Sequence, residues 1–435
     1  MEMPRKTRRI ADSNIATLLR PEELMTDLQA LDAFNLIERL KREVKIPNHR
    51  SIYLSDNAYK NFEMLTNIVE KFFINRCQLE STDIHNSCKA VLGKLYQEES
   101  PRKDIDSFVE NVEKILDESI SNYRFYTTIE GLDLEGENEL KIGRLTVQKP
   151  DFMSLKQCAA DDNTISSTWN HMKDSLWVTG EITGSEEYAE RRFFEDVEAT
   201  CGLLAVSLTT VLERGGAAVR LIPSMSDRIR PTANRWFFFS TKSKVLCTSI
   251  CMRGYQKLTL NENQVSSLMG CEWFQELARV LQNHRDNDVE EAVRRGIYWF
   301  FDAQADMKPE MQLVKFWSCI ECFFSFENDG QTTSKIKRGL TAILTCGRYG
   351  FSHTGNWNVL EKEINDLYDL RCAAVHDAQH SHINSGHVTT VSKWAAWLIL
   401  EVSGLISEGF ESRAAIKEEI DRVHDQKQLS RAKNT

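Results

Sequence analysis

Apolar residues recur every three or four positions through most of this chain, and that spacing predicts helices. Residues 15–118 read as helical. Pro21 opens PEELMTDLQALDAFNLIERLKREV, with acids in its first turn where the helix dipole favours them. Further helices are predicted over NFEMLTNIVEKFFI, SCKAVLGKLY and, after the Pro101 break, DIDSFVENVEKILDES. The spacing changes near residue 120. YRFYTTIEGL and ELKIGRLTVQKP carry short alternating, β-branched runs on either side of an acidic DLEGEN turn. One helix is predicted over SEEYAERRFFEDVEATCGLLAVSLTTVL, after which strands return at AAVRLIP, NRWFFFS and KVLCTSI. Helical spacing resumes near residue 270 and runs through FWSCIECFF, SKIKRGLTAIL, NVLEKEINDLYDLRCAAVH and HVTTVSKWAAWLILEVSGLI, which together describe a bundle. The expected fold is a multidomain α+β chain. It has a helical region at 1–119, a mixed α/β domain of unassigned role at 120–269, a helical bundle at 270–410 and a charged, solvent-facing tail at 411–435.

Composition narrows the function without naming it. The 435 residues leave room for two or three domains, with 41% hydrophobic and 27% charged positions, as in ordinary soluble proteins. A formal net charge of -10 argues against coating nucleic acid by bulk electrostatics, but it leaves room for a small cationic cleft. The basic start MEMPRKTRRIADSN is not followed by the apolar stretch of a signal peptide, and no run is long and apolar enough for a membrane span. Eleven scattered cysteines suit a reducing compartment, so a cytoplasmic location is expected. Cys319 and Cys322 have CxxC spacing but fall inside a helical pattern, where core packing accounts for them better than zinc does. GGAAV at 215–219 matches neither phosphate-loop pattern. His380, His382 and His387 lie in a turn-rich stretch without a committed ligand spacing, and Lys335, Lys337 and Arg338 read as a solvated helix face. No metal and no cofactor are expected.

The informative chemistry lies in DLYDLRCAAVHD. At about 100° per residue, Ile364, Leu367, Tyr368, Ala374 and Val375 form one apolar stripe, and Arg371 falls inside it. A guanidinium there is costly unless it meets a carboxylate or a phosphate. Val314, Trp317, Ile320 and Phe324 form a second apolar arc that contains Glu321, the economical partner for Arg371. Such a pair orients the arginine toward a phosphate, or it is a purely structural ion pair. His376 follows and brings the side-chain type best suited to proton transfer near neutrality.

Residues 285–407 resemble a HEPN domain, particularly its Apea-like branch. The resemblance rests on Arg371, four residues, then His376; on the surrounding LYDLR and VHD; on FWSCIECFF with its internal Glu321; and on the upstream IEGLDLEGENELKIGRLTV. It implies a metal-independent endoribonuclease, dimeric through the C-terminal bundle, of a kind found in toxins and antiviral defence. Arg371 would bind the scissile phosphate, His376 would transfer protons and Glu321 would hold the arginine or shape the cleft. The residue after the arginine is often polar in that family, and here it is Cys372. The alternatives are a non-catalytic binding or dimerisation scaffold and a regulatory nucleotide-binding module. RNA is the expected substrate, and a protein or nucleic-acid trigger acting through the upstream regions fits their lack of a catalytic signature.

Overall fold

The computed structural model describes the chain except residues 1–2, 48–50, 74, 137–138, 158–160, 212–218, 225–232, 240–245, 253–256, 284, 325–331, 351–356, 377–381 and 433–435. The glycines of GGAAV and the side chain of His380 therefore lie outside the described residues. The chain divides into two compact units. One comprises Met1–Phe125 with Glu181–Phe193, and the other Tyr126–Gly180 with Phe194–Thr435.

In the first unit, helices Arg5–Leu18, Asp56–Phe73, Ser81–Leu95 and Ile105–Ser119 each turn one apolar face inward. Ile15, Phe62, Leu65, Leu92, Phe108 and Leu116 meet in the shared core. Each fully buried side chain of this size contributes roughly 1.5–3 kcal/mol. The long helix expected from Pro21 is broken instead. A three-residue turn Pro21–Glu23 is followed by strand Leu24–Met25, then by helices Asp27–Ala33 and Leu36–Arg42. Caps explain the breaks. The Thr26 hydroxyl accepts from the Gln29 backbone N–H, and the Asn35 side chain accepts from that of Glu38, so each restarts a helix where the periodicity alone would continue one. Strand Ile52–Leu54 pairs antiparallel with both Leu24–Met25 and Glu43–Val44.

A five-stranded sheet has, as successive neighbours, Leu140–Ile142, Leu145–Gln148, Leu176–Gly184, Ser121–Glu130 and Ile222–Pro223. Leu140 pairs with Val147, and Leu145 with Gly180, which puts the apolar alternation of LKI and LTVQ in register on one face. Leu176–Gly184 is central to this sheet, yet its near-continuous apolar start, LWV, does not announce a strand. Leu258–Leu260 pairs in parallel with Leu132–Leu134.

The C-terminal part of the second unit is helical: Glu272–Gln282, Asp288–Ala305, Pro309–Phe324, Thr332–Cys346, Trp357–His376, Ser385–Ser407 and Arg413–Ala432. Aromatic packing holds its centre, with Phe300 edge-on to Phe316 at 5.0 Å and both fully buried. Gly339 permits the close approach of Thr332–Cys346, because a Cβ there would lie 2.3 Å from the ring of Phe324. The stretch expected to be a solvent-facing tail is the helix Arg413–Ala432, whose Ile416, Ile420 and His424 are buried. Most of its charged positions are exposed around a narrow buried strip, so composition concealed a packed helix. Among the described residues, no helix is long and apolar enough to cross a membrane.

Candidate functional site

Two helices carry the sequence-derived residues. Pro309–Phe324 supplies Glu321, and Trp357–His376 supplies Arg371, Cys372 and His376. Their pairing is set by the aromatic residue on each apolar face. Trp317 packs edge-on against Tyr368 at 5.1 Å and against Trp394, on Ser385–Ser407, at 6.3 Å. Tyr368 lies one turn before Arg371, so the same contact that seats the tyrosine delivers the guanidinium to Glu321.

Arg371 Nη2 lies 3.1 Å from both Glu321 Oε1 and Oε2. The Tyr368 hydroxyl donates to Glu321 Oε1, also at 3.1 Å. The arginine side chain is 18% exposed and the glutamate 20%, so the pair is largely withdrawn from water. Burial raises the Glu321 carboxyl above its ordinary range; the Arg371 charge and the hydrogen bonds from Tyr368 and Arg371 offset this only in part. The Tyr368 hydroxyl is pushed up to about 12, by burial first and then by the Glu321 charge.

One detail separates this pair from a fork-to-fork ion pair. Both carboxylate oxygens meet the same nitrogen, and the buried Arg371 Nε has no hydrogen-bond partner. Trp317 Nε1 is likewise buried without one. An unmade hydrogen bond at a buried donor costs about 1–3 kcal/mol. The cluster therefore leaves part of its donor capacity unused.

His376 stands apart. It is exposed at the end of its helix, and among the described residues no hydrogen bond joins it to the Glu321–Arg371–Tyr368 cluster. Five residues of α-helix turn through roughly 140° and rise about 7.5 Å, so Arg371 and His376 project from different faces. Cys372, four residues before His376 and part-buried, shares its face. The expected stripe stops at Ala374: Val375 is 47% exposed, because the last turn runs past the covered part of the helix.

Several of the remaining candidates have structural partners. Arg338 pairs with Asp421 at 2.7 Å. His387 sits in a capping box with Asn384 at the start of its own helix. Cys319 is fully buried, which pushes its thiol up, and Cys322 is pushed up to about 11 mainly by burial. Among the described residues, no group of three side chains has the arrangement of a metal site.

Glu290 is a buried charge that the hydrophobic pattern does not single out. Its side chain is 0% exposed, its carboxylate lies 2.6 Å from Arg279 Nη2, and the backbone N–H of Arg285 donates to it. The spacing Asn287-x-x-Glu290 is that of a capping box, and it was the available signal. Burial pushes this carboxyl up, but hydrogen bonds from Arg279 and Arg285 and the charges of both outweigh it and hold the group below its ordinary range. A lowered folded value stabilises the fold above the unfolded-state pKa, and that stability is lost as pH falls through the folded value. Glu290→Gln is expected to cost about 2 kcal/mol at neutral pH, because the partner Arg279 is 30% exposed and keeps Glu276, with the deficit closing in acid. Urea unfolding of both proteins across a pH series measures it; a deficit constant from neutral pH into acid would dismiss the ion pair as its cause.

No family model matches the chain, and neither curated proteins nor solved structures give a match.

Proposed function

We propose that the C-terminal helices form a HEPN-like, metal-independent endoribonuclease. The observation that carries this reading is the Arg371 guanidinium, fixed by Glu321 through one nitrogen while Nε stays buried and unpaired. A guanidinium held that way is pre-oriented, and the part of it that stays open, in a side chain 18% exposed, is what would meet phosphoryl oxygens, since Nε itself is closed off. In the reaction, a base takes the proton from the ribose 2′-OH and the 2′-oxygen attacks the adjacent phosphorus. The bond from phosphorus to the 5′-oxygen breaks, and an acid protonates that oxygen. The products are a 2′,3′-cyclic phosphate and a 5′-OH end, with no water consumed and no metal required by either transfer. Arg371 stabilises charge on the non-bridging oxygens, and Glu321 and Tyr368 position it. His376 transfers protons. Because Arg371 and His376 diverge around the helix, a two-fold pair of chains meeting at this helix is the arrangement that supplies an acid and a base to one phosphate. Defence or toxin-like use, and a trigger acting through the upstream regions, complete the proposal.

A second reading is favoured by the low exposure of the same pair. A largely buried Arg371–Glu321 contact also serves a bundle that only dimerises or binds. Incubating the full chain with RNA, with and without EDTA, and mapping the ends separates the two. The expected result is EDTA-resistant cleavage that leaves cyclic phosphate and stops when the scissile ribose lacks its 2′-OH. Strict Mg²⁺ dependence with 5′-phosphate ends would place the chemistry elsewhere.

A further inference from the structure

The first unit holds a cationic cleft that the proposed chemistry does not use. Along helix Arg5–Leu18, residues Arg5, Lys6, Arg9, Ile10, Ser13 and Asn14 line a cleft of about 470 Å³. Their spacing places them on one strip of the helix surface. Arg5, Lys6 and Arg9 are exposed and make no ion pair with a described residue, whereas Arg8 is turned to Asp106 at 3.0 Å. The first turn holds no acid, and Pro4 provides no side-chain cap, so basic side chains crowd the positive end of a helix dipole. That placement is unfavourable unless an anion is present.

A second, independent feature points the same way. Asn14 lines the cleft and is only 4% exposed, and its Nδ2 has no hydrogen-bond partner. A buried amide donor left unmade is costly, and a phosphoryl oxygen is the kind of acceptor that would satisfy it. Arg5 and Arg9 stand about 6 Å apart along the helix and Asn14 about 7.5 Å beyond Arg9, which suits a row of phosphates better than one. Exposed Ile10 sits among them and offers an aliphatic surface to a sugar or base.

The geometry points to this cleft as a docking site for the phosphate backbone of RNA. It rests on the ribonuclease reading for the choice of polymer. It also reconciles an acidic chain with a polyanionic ligand, because binding uses a local strip and not the net charge of -10.

Fluorescence anisotropy with a 2′-O-methyl RNA 20-mer, which the proposed reaction cannot cleave, tests the site in the full chain. The triple variant Arg5→Ala/Lys6→Ala/Arg9→Ala changes exposed side chains only. It is expected to bind about tenfold more weakly or worse, with the dependence of log affinity on log salt flattened by about 2, at about 0.7 per lost phosphate contact on a single strand. Asn14→Asp places a carboxylate at the base of the cleft and is expected to weaken binding several-fold. Unchanged affinity and salt slope in the triple variant overturn the proposal. Unchanged binding by an Asn14→Asp protein that melts like wild type does so too, as does displacement of the RNA by micromolar inorganic phosphate. Cleavage assays on unmodified RNA separate the two readings. A chain that cleaves RNA but binds it equally well without the three cations loses the cleft and keeps the ribonuclease. A chain that loses binding in the triple variant but never cleaves keeps the cleft and loses the ribonuclease.

Discussion

Replacing His376 with alanine is expected to lower single-turnover RNA cleavage by about 10²-fold or more while leaving the melting temperature nearly unchanged. His376 is exposed, ends its helix, and makes no hydrogen bond to a described residue, so its removal opens no cavity and strands no partner. Its proposed work is proton transfer, and without it the 2′-oxygen or the 5′-oxygen must exchange its proton with water. If two copies of His376 serve one phosphate, a heterodimer of wild type and His376→Ala should lose most activity as well, and the wild-type rate should rise steeply with protein concentration below the dimer dissociation constant. A folded His376→Ala protein that cleaves at the wild-type rate ends the assignment. A chain that stays monomeric at every concentration and still cleaves ends the two-fold arrangement alone.

How much of this was legible in advance depends on which physical effect sets each feature. The helices from Glu272 to Ser407 follow their apolar spacing because each buries one face in a shared core. The meeting of Glu321 with Arg371 was also legible, since a charge of each sign lay on an apolar stripe and each needed the other. Tyr368 as the third member was harder to see, because a tyrosine on a stripe reads as packing until its hydroxyl finds an acceptor. The breaks at Thr26 and Asn35 were missed because capping outweighed periodicity there. The strand Leu176–Gly184 escaped notice because its start, LWV, is continuously apolar and Gly180 and Gly184 interrupt the β-branched run, although its second half alternates between buried and exposed positions. Arg413–Ala432 was hidden by a charge content that masked Ile416 and Ile420. The angular separation of Arg371 and His376 was available from the numbering alone. Five residues cannot bring two side chains to one helical face, and that constraint is what makes a second copy part of the proposal.

Arg371→Ala is expected to have two effects that separate under pH and under a second substitution. It leaves Glu321 largely buried without its cation, at a cost of about 1–3 kcal/mol at neutral pH. It also removes the proposed phosphate ligand, and with it about 10²-fold or more of cleavage. Burial already holds the Glu321 carboxyl above its ordinary range, and Arg371 pulls it partway back. Without the arginine the folded value rises further. A raised folded value means stability that is fully present below the unfolded-state pKa and is lost as pH rises through the folded one. The deficit of Arg371→Ala relative to wild type should therefore be largest near neutrality, where Glu321 must ionise, and shrink as the pH falls and the carboxyl takes up a proton. Glu321→Gln in the Arg371→Ala background removes the stranded charge and should return most of the lost stability at neutral pH. Cleavage should not return with it, because an uncharged glutamine restores the fold and not the phosphate clamp. Urea unfolding and single-turnover cleavage on the four proteins of this double-mutant cycle read the two quantities independently. Recovery of cleavage together with stability would make Arg371 a structural residue and favour the scaffold. Recovery of stability alone would leave the guanidinium with a role in the reaction that its ion pair does not explain.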